Sequence, residues 1–153
     1  IPVIQHAIEW LESVGDKVTH ACCIYATAPF MQASDIRLAR EALTAESTAE
    51  FAFPVTSFAF PIFRAVRVKD RRVQMIWPEN EAVRSQDLEE AYHDAGQFYW
   101  GTAEAWLEER IIFGRDSIGI PIPRYRVQDV DTPADWESAE YMFEALRARA
   151  CNG

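Results

Sequence analysis

The chain has 153 residues, of which 49% are hydrophobic and 25% are charged, and this size and composition are typical of one globular domain. Its 15 basic and 24 acidic residues give a formal net charge of -9, which argues against the broad basic surface that duplex nucleic acid requires. No apolar run approaches the roughly 18 residues of a membrane span, and three cysteines without disulfide or metal-site spacing favour a reducing cytoplasm. We therefore expect neither nucleic acid nor a membrane as partner.

The first part of the chain predicts a helix, a strand, a second helix and a second strand. Apolar residues recur at helical spacing after Pro2, and Gly15 ends this helix. The run 21–26 is continuously apolar, as expected of a strand buried on both faces. Ser34 is expected to cap the second helix, and residues 50–57 are expected to form the second strand. This order indicates a parallel strand–helix–strand crossover.

Residues 58–81 interrupt this alternation and predict a protruding hairpin. Two prolines break the segment, and two short strand-like runs, 65–68 and 73–77, flank a polar turn.

The remaining elements complete an α/β sheet. We expect a buried strand at 96–101, a short helix at 102–109 and a strand at 118–122. Thr132 is placed to cap the last helix. The apolar residues that recur at helical spacing on that helix form its predicted packing stripe, namely Trp136, Ala139, Phe143 and Leu146.

Asp129 and Asp131 form the first candidate site. In an extended segment, residues two apart point to the same side, so both carboxylates can converge on one hard cation. Mg²⁺ prefers oxygen ligands and commonly takes one or two carboxylates, with substrate phosphates and water completing its shell. The alternative interpretation is a pair of solvated or helix-capping carboxylates.

A second candidate site lies between residues 84 and 98. Arg84 can place two donors on a carboxylate, and Gln86 and Gln97 offer amides for hydroxyl or acetamido groups. Tyr92 and Phe98 offer rings for a sugar face. A solvated helix followed by a buried strand, with Phe98 in the core, would account for the same residue types.

His93 is a candidate catalytic base in the same region. No serine or cysteine nucleophile surrounds it, and no second histidine stands at ligand spacing. A structural hydrogen-bonding role is therefore the favoured interpretation.

Four segments of the chain resemble one family of sugar-activating enzymes. These segments are FPIFRA at 60–65, RSQDL at 84–88, YHDAGQFY at 92–99 and RYRVQDVDT at 124–132. They are similar to those of the CMP-acylneuraminate synthetases, in the branch that makes CMP-pseudaminic acid. The similarity runs along essentially the whole chain and matches the C-terminal two-thirds of that family's single domain.

The resemblance implies a fold and an activity. The fold would be a mostly parallel, Rossmann-like sheet of the nucleotide-diphosphosugar transferase type in one domain over 1–153, with residues 58–81 as a dimerisation arm. The enzyme would be a cytidylyltransferase that joins CTP to an acidic nine-carbon sugar and releases pyrophosphate. The family's Gly- and Arg-rich loop, which holds the CTP phosphates, has no match here, so we expect its N-terminal part to be missing from this chain.

The resemblance also assigns roles to residues. Asp131 with Asp129 would be catalytic by holding Mg²⁺, Arg84 would anchor the sugar carboxylate, and Arg64 would be a weaker second anchor. The segment around Tyr25 and Thr27 corresponds to a Pro-Thr-Ser-Pro run that lines the family's cleft, although this chain has alanines in place of one proline and the serine. The remaining substrate-binding candidates are Gln86, Tyr92, Asp94, Gln97 and Phe98.

Two alternatives stay open. One is a cytidylyltransferase for another acidic sugar, such as N-acetylneuraminate or an eight-carbon ketoacid. The other belongs to a different class, a non-catalytic sugar-binding or assembly module.

Overall fold

The computed structural model describes residues 1–151, with side chains described through residue 149. The helices are α1 (Pro2–Ser13), α2 (Ala33–Ala45), α3 (Ala103–Leu107) and α4 (Pro133–Cys151). The strands are β1 (His20–Ile24), β2 (Phe51–Ser57), β3 (Val66–Lys69), β4 (Arg72–Met75), β5 (Tyr92–Asp94), β6 (Phe98–Thr102) and β7 (Ser117–Pro121). Short 3₁₀ turns lie at Ile62–Arg64, Pro78–Asn80, Ser85–Asp87 and Arg124–Arg126.

The main sheet contains three strands that run in one direction, β1, β2 and β7. Strands β5 and β6 run in the opposite direction, and β6 lies between β1 and β2. β6 pairs antiparallel with both β1 and β2, β5 pairs antiparallel with β2, and β7 pairs parallel with β2. β1, β2 and β7 therefore share one direction, and β1–α2–β2 is a crossover between parallel strands. The α/β class is confirmed. The mostly parallel, Rossmann-like arrangement is not, because three of the four pairings in the described part of this sheet are antiparallel.

Helices cover both faces of this sheet. On one face, Ile8 of α1 and Trp106 of α3 pack on Phe51, whose ring meets the indole edge-on at 5.0 Å. On the other face, Leu43 of α2 packs against Phe98, which is 0% exposed. Apolar burial of this kind stabilises the fold by about 25 cal/mol per Å².

Two predicted boundaries were wrong. Helix α2 begins at Ala33 with Gln32 as its N-cap, so Ser34 lies inside the first turn and makes no cap hydrogen bond. The expected strand at 96–101 begins only at Phe98, because Gly96 adopts a left-handed φ of +61° in the turn that separates β5 from β6. A residue without Cβ adopts this conformation at little cost.

The hairpin prediction is confirmed. β3 and β4 form a separate two-stranded sheet in which Val68 pairs with Val73 and Lys69 pairs with Arg72. Asp70 and Arg71 form its turn with φ values of 49° and 62°, the left-handed pair that a tight hairpin turn requires. Val68 and Val73 are largely exposed, so the hairpin projects from the body.

The packing stripe predicted on α4 is mostly uncovered. Ala139 is buried, but Trp136 and Phe143 are more than half exposed. Together with Phe30 they border an apolar groove of about 540 Å³. Helical periodicity correctly located the apolar stripe, but periodicity does not report whether another element covers it.

Within residues 1–151, no helix combines the length and apolar character needed to cross a membrane.

Candidate functional site

The candidate site is a cavity of about 440 Å³ beside the end of strand β5. One wall is strand β5 with the turn that follows it. The opposite wall is residues 127–131, here called the acidic loop, together with the first turn of α4. The lining residues are His93, Asp94, Ala95, Gly96, Val127, Gln128, Asp129, Asp131 and Asp135.

The structure brings Asp129 and Asp131 to the same cavity, as their spacing predicts. Oδ1 of Asp129 accepts a hydrogen bond from the Val130 amide at 3.1 Å. Its Oδ2 faces Gly96, where an added Cβ would lie 3.9 Å away. Both carboxylates are exposed, so they are accessible to a bound cation.

A capping box fixes the far end of the acidic loop. The Thr132 hydroxyl donates to Oδ2 of Asp135 at 2.7 Å and accepts from the Asp135 amide at 3.2 Å. The Thr132 and Asp131 amides also donate to Oδ2 of Asp135, at 2.8 and 3.3 Å. These hydrogen bonds, those of Thr132 foremost, lower the pKa of Asp135 from its ordinary value of 3.8. The predicted cap at Thr132 is confirmed, and Asp135 is occupied by this structural role.

Asp94 is held by the turn that separates β5 from β6. Its Oδ1 accepts from the Gly96 amide at 3.0 Å, and its Oδ2 accepts from the Tyr99 hydroxyl. Burial, followed by the hydrogen bond to Asp94, raises the pKa of Tyr99 well above its ordinary value, so this hydroxyl stays protonated as the donor. The Asp94 carboxylate is therefore fixed at the cavity wall.

His93 lies on the same wall. Its Nδ1 is 2.9 Å from the carbonyl oxygen of Asp94. Because a carbonyl oxygen only accepts, Nδ1 is the donor of this hydrogen bond. The ring packs against Phe58 in a tilted arrangement, with centroids 4.8 Å apart.

The second predicted cluster lies elsewhere on the surface. Gln86 borders a hollow of about 280 Å³ formed with the segment around Phe60. Arg84 is 72% exposed, and its guanidinium is paired with Asp87 at 2.7 and 3.2 Å. Tyr92 is exposed and donates its hydroxyl to Glu90 at 2.8 Å. None of these three side chains borders the cavity of the acidic loop.

Arg64 and the residues after β1 also lie outside this cavity. Arg64 is exposed and donates to the carbonyl of Val83 at 3.2 Å. The Tyr25 ring packs against Tyr99 with centroids 5.4 Å apart, and Thr27 is partly buried in the loop after β1. Their roles in substrate binding stay predictions.

Gln97 and Phe98 are interior residues. Phe98 packs under α2, as the alternative interpretation of this segment expected. Gln97 is 1% exposed and donates through Nε2 to the carbonyl of Arg126 at 2.6 Å. Within the described residues, Oε1 of Gln97 is a buried atom without a hydrogen-bond partner. These positions favour structural roles for both side chains.

The donor set of the cavity fits a magnesium ion in type. Within residues 1–151, no group of three or more histidine, cysteine, aspartate or glutamate side chains has a metal-holding arrangement. Asp129 and Asp131 nevertheless supply the one or two carboxylates that Mg²⁺ commonly takes from protein. Phosphate and water oxygens would supply the remaining ligands.

One interaction beside the site was missed by the sequence analysis. Arg126 is buried and forms an ion pair with Asp35 of α2, at 2.5 and 3.3 Å. The two residues are 91 positions apart, and Asp35 resembles an ordinary acidic residue in a helix first turn.

Comparison with known proteins identifies what the chain is similar to. It is 41% identical over 143 residues to a pseudaminic acid cytidylyltransferase of Campylobacter jejuni, a match that covers 93% of this chain and 61% of the relative. The same enzyme of a second strain is 41% identical over 142 residues, 92% of this chain and 61% of that protein. The resemblance to pseudaminic acid cytidylyltransferases is confirmed. The chain spans about three fifths of the length of these relatives.

A further relative of the same kind is longer. A Helicobacter pylori protein named as both pseudaminic acid cytidylyltransferase and UDP-2,4-diacetamido-2,4,6-trideoxy-beta-L-altropyranose hydrolase is 32% identical over 130 residues. That match covers 85% of this chain and 25% of the relative. No protein-family model matches the chain.

Proposed function

We propose that this chain is part of a pseudaminic acid cytidylyltransferase, which joins CTP to the acidic sugar and releases pyrophosphate. The observation that carries the proposal is the placement of Asp129 and Asp131 on one cavity, in a chain 41% identical to enzymes of that name. Both aspartates lie in the segment 124–132, whose resemblance to that family implies that they hold a metal ion. The finer fold assignment, a nucleotide-diphosphosugar transferase sheet, is part of the same proposal.

The charge of the cavity supports a cation between protein and nucleotide. Four carboxylates line it, and Asp94 and Asp135 already accept hydrogen bonds from neighbouring groups. A triphosphate would be repelled by this wall unless a cation lay between them. We propose that Asp129 and Asp131 hold Mg²⁺, which offsets charge on the phosphate oxygens as pyrophosphate leaves.

The chemistry proposed for the site is a direct displacement. The anomeric hydroxyl of the sugar attacks the α-phosphorus of CTP, the bond to the β-phosphate oxygen breaks, and the hydroxyl proton is released. The protein contributes positioning and charge, so no covalent enzyme intermediate is required. Arg84 is the proposed anchor for the sugar carboxylate, because its exposed ion pair with Asp87 can exchange one carboxylate for another.

The projecting hairpin is the proposed homodimer contact. An isolated two-stranded hairpin is marginally stable in water, and the exposed Val68 and Val73 offer an apolar surface to a second copy. We also propose a cytoplasmic location, because the reaction consumes CTP and no part of the proposal requires disulfides.

The decisive experiment measures pyrophosphate release by the full-length protein with CTP, Mg²⁺ and a panel of acidic sugars. We expect pseudaminic acid to give the highest kcat/KM. Faster turnover of N-acetylneuraminate or an eight-carbon ketoacid would reassign the substrate. If none of the sugars supports pyrophosphate release but sugars still bind, the protein would be a non-catalytic sugar-binding module.

Asp131→Asn tests the proposed metal site. We expect kcat to fall by at least about 100-fold, because the variant loses one of two charged ligands without changing side-chain size. Asp16→Asn is the matched control, since Asp16 is exposed and does not border the cavity. Near-normal turnover by Asp131→Asn would remove the metal assignment.

A further inference from the structure

A buried ion pair holds Arg126, the residue that immediately precedes the acidic loop. The side chains of Asp35 and Arg126 are 10% and 11% exposed, and two guanidinium nitrogens contact the two carboxylate oxygens. Such a forked pair fixes orientation as well as distance. Asp35 lies in the first turn of α2, where the helix dipole also favours a negative charge.

The backbone of Arg126 is held as firmly as its side chain. Its carbonyl accepts from Gln97 at 2.6 Å, and its amide donates to Pro123 at 2.9 Å. The next amide, of Val127, donates to Arg124 at 3.0 Å. Arg126 is thus joined to α2 by its side chain and to the turn between β5 and β6 by its carbonyl.

The acidic loop itself has few attachments. Among the described residues, the hydrogen bonds of Gln128 and Val130 are made to Asp129, inside the loop. The loop is tied to the body at its start by Arg126 and at its end by the Asp131 amide, which donates to Asp135. The position of Asp129, three residues after Arg126, therefore depends on how Arg126 is held.

We propose that Asp35 is a positioning residue for this cavity, acting through Arg126. It does not border the cavity, so its effect is to set where the acidic loop starts and hence where the two carboxylates lie. The energetics agree with such a role. Burying two charges stabilises a fold little compared with apolar packing, whereas a forked guanidinium–carboxylate pair fixes the orientation of both side chains. The consequence for turnover rests on the proposed function, but the structural effect does not.

Three variants separate positioning from stability. Asp35→Asn removes the charge and leaves a buried guanidinium unpaired, which destabilises the fold. The double variant Asp35→Leu with Arg126→Met replaces the pair by apolar side chains, and we expect it to unfold at nearly the wild-type temperature. Asp35→Glu keeps the charge and should restore most of the wild-type behaviour. Arg110→Gln is the control, because Arg110 pairs with Glu50 just before β2, at the opposite end of that strand from its pairing with β5.

The structural readout is hydrogen exchange in the peptide that contains residues 124–131. In both the Asp35→Asn and the double variant, we expect the Arg126 and Val127 amides to exchange about tenfold faster, as when a charge-assisted hydrogen bond is lost. The control and Asp35→Glu should show wild-type exchange. Wild-type exchange in the stable double variant would overturn the proposal.

The functional readout is the Mg²⁺ concentration that gives half-maximal pyrophosphate release by the full-length protein. We expect it to rise about tenfold in the double variant and to stay unchanged in Arg110→Gln. If hydrogen exchange is faster but the half-maximal Mg²⁺ concentration is unchanged, the position of the acidic loop does not affect how its carboxylates act. That result also overturns the proposal. Absence of pyrophosphate release in the wild type would instead remove the proposed function, while hydrogen exchange would still decide the role of Asp35.

Discussion

Gly96 offers a test of the cavity wall because the effect of its backbone conformation can be measured separately from the effect of its contact with Asp129. It has a φ of +61°, and an alanine Cβ there would meet only Oδ2 of Asp129, at 3.9 Å. This is an ordinary contact, so Gly96→Ala should cost only the left-handed conformation, about 1–2 kcal/mol. For a domain of this size, that cost lowers the melting temperature by roughly 2–8 °C.

Gly15→Ala is the matched control for this substitution. Gly15 follows α1 with a φ of +99°, and nothing lies within 4 Å of an added Cβ. We expect at least the same loss of melting temperature, measured by circular dichroism, because the backbone demand is of the same kind.

The two glycine variants should differ in their response to Mg²⁺. The methyl group of Gly96→Ala touches the Asp129 carboxylate, so we expect the Mg²⁺ requirement for pyrophosphate release to rise by roughly threefold or more. Gly15→Ala should keep the wild-type requirement. A wild-type melting temperature for Gly96→Ala would refute the left-handed turn, and equal Mg²⁺ requirements in both variants would refute the role of this turn in the site.

Two further predictions concern Arg84 and the capping box at Thr132. Arg84→Ala should raise KM for the sugar by about tenfold with little change in kcat, because one charged contact to substrate is lost, and a steady-state titration of the sugar will detect it. Thr132→Ala should lower the melting temperature at pH 7, because it removes the cap that lowers the pKa of Asp135. A carboxylate whose pKa is lowered in the folded state stabilises the fold at pH values above its ordinary pKa of 3.8. This stabilisation is lost as the pH falls through the lower pKa of the folded state. The difference from wild type should therefore shrink in a melting series taken from pH 7 to below pH 3.8.

Local signals in the sequence predicted much of the fold. Pro2 and Gly15 bracket α1, and Thr132 with Asp135 forms the expected capping box at the start of α4. The polar turn after Lys69 does join two strands. Each of these features depends on residues within a few positions of one another, and sequence patterns describe that range well.

Long-range features of the fold were not accessible in the same way. The reversed direction of β5 and β6 depends on pairing with β1 and β2, and no local pattern encodes which partner a buried strand selects.

The candidate site was predicted unevenly for related reasons. Asp129 and Asp131 were found because their spacing carries the chemistry. Gln97 and Phe98 have suitable side chains for a sugar pocket, but both are buried, at 1% and 0% exposure. Asp35 was missed because its partner lies 91 residues away, and a charged residue in a helix first turn usually faces solvent.

The shared direction of β1, β2 and β7 has a consequence for how the cavity arises during folding. Its two walls come from stretches more than thirty residues apart: one is β5, which pairs with β2, and the other is the acidic loop, which follows the strand β7 that pairs with β2 on its other side. Neither wall can take its place until β2 has paired on both sides, so the pocket should be among the last parts of the molecule to form. Any compound that spans the two walls would then recognise only the completed sheet and would act as a selective probe of correctly folded molecules.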